Sequence, residues 1–176
     1  CFSPPMVTIK TTALPALKNG YITFGCFNNL AKLNDQVIKL WIKVLHAIPN
    51  SRLLLKTKQF NSLSLQGMVT KKFTDLGIDS KRIILEGHSL YGEYLTAYQK
   101  VDIALDSFPF TGGTTTIDGL WMGVPVITLQ GNTLISRQGI GILKNVGLPN
   151  WIAKNENEYL NKAIDFASNL NPFGIT

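Results

Sequence analysis

The stretch most able to do chemistry is DSFPFTGGTTTIDGLWMGVPV, which begins at Asp106. Asp106 closes an apolar run, a Pro- and Phe-containing turn follows, and then come Gly112, Gly113 and three threonines from Thr114. Paired glycines let a backbone approach a ligand closely. Threonines opening a helix bring free N–H donors, hydroxyls and the positive end of the helix dipole to one place, which is what a phosphate group requires. Asp118 falls one turn further on, about 6 Å of rise from Thr114, where a carboxylate can accept hydrogen bonds from ribose hydroxyls. Neither the G-K-[ST] of a P-loop nor the G-x-G-x-x-G of a dinucleotide fold is present. By pattern alone the same residues also describe a tight Gly-Gly turn with helix-capping threonines, and both readings stand at this point.

A second loop, CFNNLAKLND, offers the amides of Asn28 and Asn29 and the cation of Lys32. Lys32 can reach a diphosphate across the sheet edge, although a loop lysine taken alone is ordinarily just solvated. His88 follows an apolar run, whereas His46 lies among Leu45 and Ile48 on a helical face. Neither has the carboxylate, serine or cysteine partner that acid–base or nucleophilic catalysis needs. Two histidines without ligand spacing do not form a metal cage, so no metal is expected. Lys71, Lys72, Lys81 and Arg82 lack interleaved aromatics and read as a solvated face rather than a nucleic-acid surface.

The elements that must position these loops follow from the apolar pattern. Short aliphatic runs, Tyr21–Cys26, Arg52–Leu55, Arg82–Leu85, Val101–Leu105 and Val124–Leu129, read as strands buried on both faces. Between and after them, 3.6-residue spacing predicts helices near Val37–Ile48, Leu65–Leu76, Tyr91–Gln99, Thr115–Met122, Leu134–Val146 and Glu156–Ala167. Asn34 or Asp35 caps the first of these, and Pro49 lies just past its end. Strand–helix alternation at this spacing predicts an α/β fold, a doubly wound and mainly parallel sheet. Ligands then sit at the carboxyl ends of the strands, where both loops fall.

The chain has 176 residues, the size of one domain with a core that needs no staples. Residues 1–20, with three prolines, read as a linker or a strap from a preceding domain, 21–170 as the ligand-binding domain, and 171–176 as a tail. No apolar run approaches the roughly 18 residues of a membrane span. Two cysteines, Cys1 and Cys26, with no C-x-x-C pair fit a reducing, cytoplasmic setting. A net charge of +6 favours anionic ligands, and a charged fraction of 16% suggests that part of the surface is covered by a partner. The first residue is Cys rather than Met, so a piece of a longer protein is expected.

YITFGCFNNLAKLNDQVIKLWIKVLHAIPNSRLLLK, together with DSFPFTGGTTTIDGLWMGVPVITLQGNTLISR and WIAKNENEY, resembles the C-terminal catalytic half of the O-linked N-acetylglucosamine transferase/SPINDLY family. The resemblance runs from about Tyr21 to about Ala167. It implies the Rossmann-like C-terminal half of a GT-B glycosyltransferase, whose N-terminal half and tetratricopeptide (TPR) repeats are expected elsewhere in the same polypeptide. It further implies inverting, metal-independent transfer of N-acetylglucosamine from UDP-GlcNAc to Ser or Thr of a protein acceptor. A UDP-glucose-dependent asparagine glucosyltransferase and a regulatory nucleotide-binding module are the alternatives. By this resemblance Gly112, Gly113, Thr114 and Thr115 hold the donor diphosphate and Asp118 the ribose. Asn29 and Lys32 reach the phosphates, with Lys32 the catalytic residue stabilising departing UDP. His88, Ser89 and Leu90 read the base through their backbone. Animal members have histidine at the position of Gly113, and Lys and His at those of Tyr91 and Tyr94, so Tyr94 is expected to stack or hydrogen-bond instead. The isolated half is expected to bind UDP with little or no transfer.

Overall fold

The computed structural model describes residues 9–169, so the expected tail at 171–176 lies outside the described residues. Six strands form one parallel sheet: β1 (Thr23–Cys26), β2 (Arg52–Lys56), β3 (Ile83–Glu86), β4 (Ile103–Leu105), β5 (Val126–Leu129) and β6 (Ile152–Ala153), in the order β3-β2-β1-β4-β5-β6. The order reverses between β1 and β4, which opens a crevice above their carboxyl ends. The helices are α1 (Pro15–Asn19), α2 (Asp35–Ala47), α3 (Leu63–Thr74), α4 (Tyr91–Ala97), α5 (Thr114–Trp121), α6 (Gln138–Asn145) and α7 (Glu156–Ser168).

Strand alternation divides the core into two layers. Phe24, Leu53, Leu55, Ile103, Leu105 and Ile127 point to one face and pack with Trp41, Leu45, Phe73 and Tyr159. Leu54, Ala104 and Val126 point to the other and pack with Leu95, Tyr98, Val101 and Met122. Both layers are apolar because helices cover both faces, which is why the strand runs are continuous rather than alternating. Gly25 is the close-approach point of β1, since a Cβ there would lie 2.6 Å from Val101 Cγ2.

The expected strands and helices are present, with two additions. The first is β6, two residues long, which offers no periodicity to read. The second is α1, inside the segment expected to be a linker: Pro15 opens it and Gly20, at φ 75°, closes it. Asp102 docks that segment on the body, accepting from Ala16 N–H and Thr23 N–H at 2.8 Å each. Helix α2 is capped by Asn34, whose Oδ1 accepts from Val37 N–H at 3.0 Å.

Candidate functional site

The carboxyl ends of β1–β4 surround a cleft of about 500 Å³. Phe27 and Asn29 enter it from the β1 loop, Lys56, Thr57 and Lys58 from β2, and Gly87, His88 and Ser89 from β3. Helix α4 adds Tyr91 and Tyr94, and α5 adds Thr114 and Asp118. Of the residues singled out by sequence, Asn29, His88, Ser89, Tyr94, Thr114 and Asp118 therefore meet in one cavity. Lys32, Leu90, Gly112, Gly113 and Thr115 lie beside it rather than on its lining.

Helix α5 begins at Thr114 with Gly113 as its N-cap and no side-chain cap. Its first amides consequently lack an intrahelical acceptor and remain open to a ligand. The two threonines expected to act together are divided. Thr114 is exposed and faces the cleft, whereas the Thr115 hydroxyl donates inward to Asn28 Oδ1. Asn28 is buried and its amide donates to Asp106 Oδ1 at 3.1 Å and Ser107 Oγ at 2.9 Å. A Cβ on Gly112 would lie 2.7 Å from both the Thr115 and Thr116 hydroxyl oxygens. Gly112→Ala is therefore expected to cost about 1–3 kcal/mol by overpacking and to weaken affinity for an anionic ligand at the α5 N-terminus about tenfold by shifting the start of that helix; thermal melts and titration of the variant check both.

Asp118 is buried at the cleft edge, where Tyr91 donates to Oδ1 at 3.4 Å and Tyr94 to Oδ2 at 3.2 Å. Burial raises its pKa, and the two phenols oppose that rise. Each oxygen keeps a second lone pair, so a ribose hydroxyl can join the set. Burial foremost raises the Tyr94 pKa as well, so its hydroxyl acts as a hydrogen-bond donor. Tyr94 meets Phe27 edge-on with centroids 5.7 Å apart, and Phe27 stacks on Tyr98 at 3.9 Å to form the apolar floor.

The β3 loop is shaped from below. His88 N–H donates to Asn61 Oδ1 at 2.8 Å, and a Cβ on Gly87 would collide with that same oxygen. Leu90 is 73% exposed and caps α4 instead of facing the cleft. Asn29 Oδ1 accepts from Ala31 N–H and from Gln59, capping a 3₁₀ turn over Leu30–Lys32. That turn aims Lys32 at the glycine loop, where Nζ donates to Thr111 O at 3.1 Å and lies 4.1 Å from the Phe110 ring centroid. Burial lowers the Lys32 pKa, with Asp106 acting against it. Cys26 lies at the end of β1, but burial pushes its thiol up to about 12, so it is no nucleophile at neutral pH. Sequence reasoning named the Asn28 amide as a possible ligand group, not as the buried anchor of Thr115, and gave no role to Lys56 or Thr57. Their one signal was position, immediately after a strand.

A parallel sheet of this order, with an uncapped helix start and a cleft above its switch point, defines a Rossmann-like domain whose ligand site falls at the carboxyl ends of its strands. The family model for glycosyl transferase family 41 matches residues 3–173, and the chain belongs to that family as a GT-B-type catalytic half. It is 40% identical over 97% of its length to the probable UDP-N-acetylglucosamine–peptide N-acetylglucosaminyltransferase SPINDLY of Arabidopsis thaliana. It is 30% identical over 92% of its length to the UDP-N-acetylglucosamine–peptide N-acetylglucosaminyltransferase of Caenorhabditis elegans. Among solved structures, a K341M mutant of Thermobaculum terrenum O-GlcNAc transferase superposes with a TM-score of 0.89 at 29% identity, covering 95% of this chain and 32% of that one. Staphylococcus aureus TarM, crystallised with UDP, shares the fold at a TM-score of 0.51 and 12% identity, with 92% of this chain and 34% of that chain covered. The chain spans 19% of the Arabidopsis relative and 14% of the nematode one.

Proposed function

We propose that this chain is the donor-binding half of an inverting protein O-GlcNAc transferase, with UDP-GlcNAc as donor and Ser or Thr of a protein as acceptor. The observation that carries the reading is the meeting of the open α5 N-terminus and Asp118 in one cleft at the sheet's switch point, with Lys32 beside it on the glycine-rich loop. The diphosphate lies at the amides of Thr114–Thr116, the ribose on Asp118 and the base along His88 and Ser89. As the acceptor oxygen bonds to the sugar's anomeric carbon and the bond to the diphosphate breaks, negative charge grows on the leaving phosphate. The α5 amides and the Lys32 ammonium stabilise that charge, a task they can perform without a metal ion. The acceptor is a separate protein whose hydroxyl proton leaves to a base outside this half, and the partner half of the same polypeptide together with TPR repeats completes the enzyme. Names of the relatives carry N-acetylglucosamine, which supports that sugar over glucose. The same reading places the protein in the cytoplasm, in keeping with the buried free thiol of Cys26.

Titration calorimetry of the full-length protein with UDP, UDP-GlcNAc, UDP-glucose and the matching GDP-sugars, with and without chelator, tests this. Saturable binding of UDP and UDP-GlcNAc, unchanged by chelation, is the expected result. Tighter binding of another sugar nucleotide overturns the donor assignment, loss on chelation overturns the metal-free step, and no nucleotide binding overturns the reading as a whole.

A further inference from the structure

One peptide plane of the glycine-rich loop is held at both ends by charged groups. At its carbonyl end Lys32 Nζ donates to Thr111 O at 3.1 Å, and at its amide end Gly112 N–H donates to Asp106 Oδ1 at 2.7 Å. A trans peptide points its C=O and N–H in opposite directions. The plane's dipole thus runs from the carboxylate to the ammonium with the favourable sign at each contact.

The Asp106 end is anchored deep in the fold. Its side chain is buried, Thr128 of β5 donates to Oδ2 at 2.7 Å, and Asn28 of the β1 loop donates to Oδ1. Gly139 of α6 sits so close that a Cβ there would lie 2.9 Å from Oδ2. The Lys32 end is open by comparison. An ammonium has three N–H donors, of which Thr111 O takes one.

We propose that Asp106 is a positioning residue that, acting through the Thr111–Gly112 peptide, sets where the Lys32 ammonium meets the donor diphosphate. This rests on the reading of Lys32 as the leaving-group cation. The titratable groups facing Asp106 are Lys32 and Cys26 from the β1 side and Tyr159 from α7, whose hydroxyl donates to Asp106 O at 3.0 Å. Thr128 and Gly139 supply no charge. Burial pushes the Asp106 carboxyl up to about 6, against the hydrogen bonds from Gly112, Thr128 and Asn28 and the charge of Lys32. Below that pH a proton on Oδ2 turns the Thr128 hydroxyl round and removes the negative charge opposite Lys32, so the charge-assisted hold on the peptide weakens. A carboxyl raised above its unfolded value favours folding on acidification. This group therefore links loss of turnover to no loss of stability between about pH 6 and pH 4.

The experiment is the pH profile of kcat and donor KM for the full-length enzyme and its Asp106→Asn, Thr128→Val and Lys32→Ala variants. Asparagine can accept from Gly112 and Asn28 and donate to a reversed Thr128 hydroxyl, so it preserves the network and removes the charge. Asp106→Asn is expected to lower kcat tenfold or more with donor KM within threefold, and to lack the acid limb near pH 6. Thr128→Val removes one donor to the carboxylate and is expected to move that limb upward by half a pH unit or more. Wild-type kcat with an intact limb in Asp106→Asn overturns the proposal. If that variant does not fold, an unmoved limb in Thr128→Val overturns it. Unchanged turnover in Lys32→Ala instead overturns the role of Lys32 on which the proposal rests.

Discussion

Lys32→Ala is expected to lower kcat of the full-length enzyme on the order of 10²–10³-fold, the range seen when one preorganised donor is removed from a developing oxyanion. Donor affinity is expected to fall only about tenfold. In the proposed reaction, charge on the leaving phosphate increases towards the transition state, so an ammonium beside it would stabilise that state more than the ground state. Its position makes the effect large: Nζ is held by Thr111 O and the Phe110 ring at the glycine-rich loop, partly desolvated and already oriented. Lys32→Arg is expected to recover only part of the loss, because a planar fork does not reproduce a point charge seated on one carbonyl. Steady-state kinetics with separated kcat and KM checks this, and equal losses in kcat/KM from KM alone would assign Lys32 to ground-state binding.

Trp41→Ala is expected to be the most destabilising single change in the core. Trp41 is fully buried on α2 between the sheet and α7, and its indole N–H donates to Tyr159 Oη at 3.2 Å. Truncation leaves a large cavity and costs about 3–5 kcal/mol, against a typical total of about 5–15 kcal/mol. In a domain of this size that corresponds to a fall in melting temperature of roughly 6–20 °C. The loss also reaches the site, because the same Tyr159 hydroxyl supports the Asp106 carbonyl at the end of β4. Trp41→Phe keeps most of the volume and is expected to cost less than half as much. Thermal melts of the two variants side by side separate packing from the hydrogen bond.

Much of this architecture is legible in the chain itself. Runs such as Arg52–Leu55 and Val101–Leu105 are continuous because both sheet faces are covered, and α2 carries its own cap in Asn34 and its own apolar stripe. Where such local signals are strong, elements form as expected. Where an element is too short to have a period, as in β6, or lies in a proline-rich stretch, as in α1, only its neighbours decide it. Asp102 is what makes α1 part of the body, and nothing near Ala16 in sequence announces Asp102.

The same division runs through the site. The residue types of the glycine–threonine motif and the placement of loops after strands were determined by sequence alone, because turn chemistry, helix starts and strand ends are local properties. Which threonine faces the ligand was not. Thr114 and Thr115 are equivalent as a pattern, and only Asn28, 87 residues from Thr115, turns the second one inward. Lys32 reads as an ordinary loop lysine until the fold sets it on a carbonyl 79 residues away, with a buried carboxylate on the other side of that peptide. These contacts depend on the crossover that brings β4 beside β1. The tertiary structure decides them because hydrogen bonds and charges act over a few ångströms of space, and the chain has no local means of specifying what stands there.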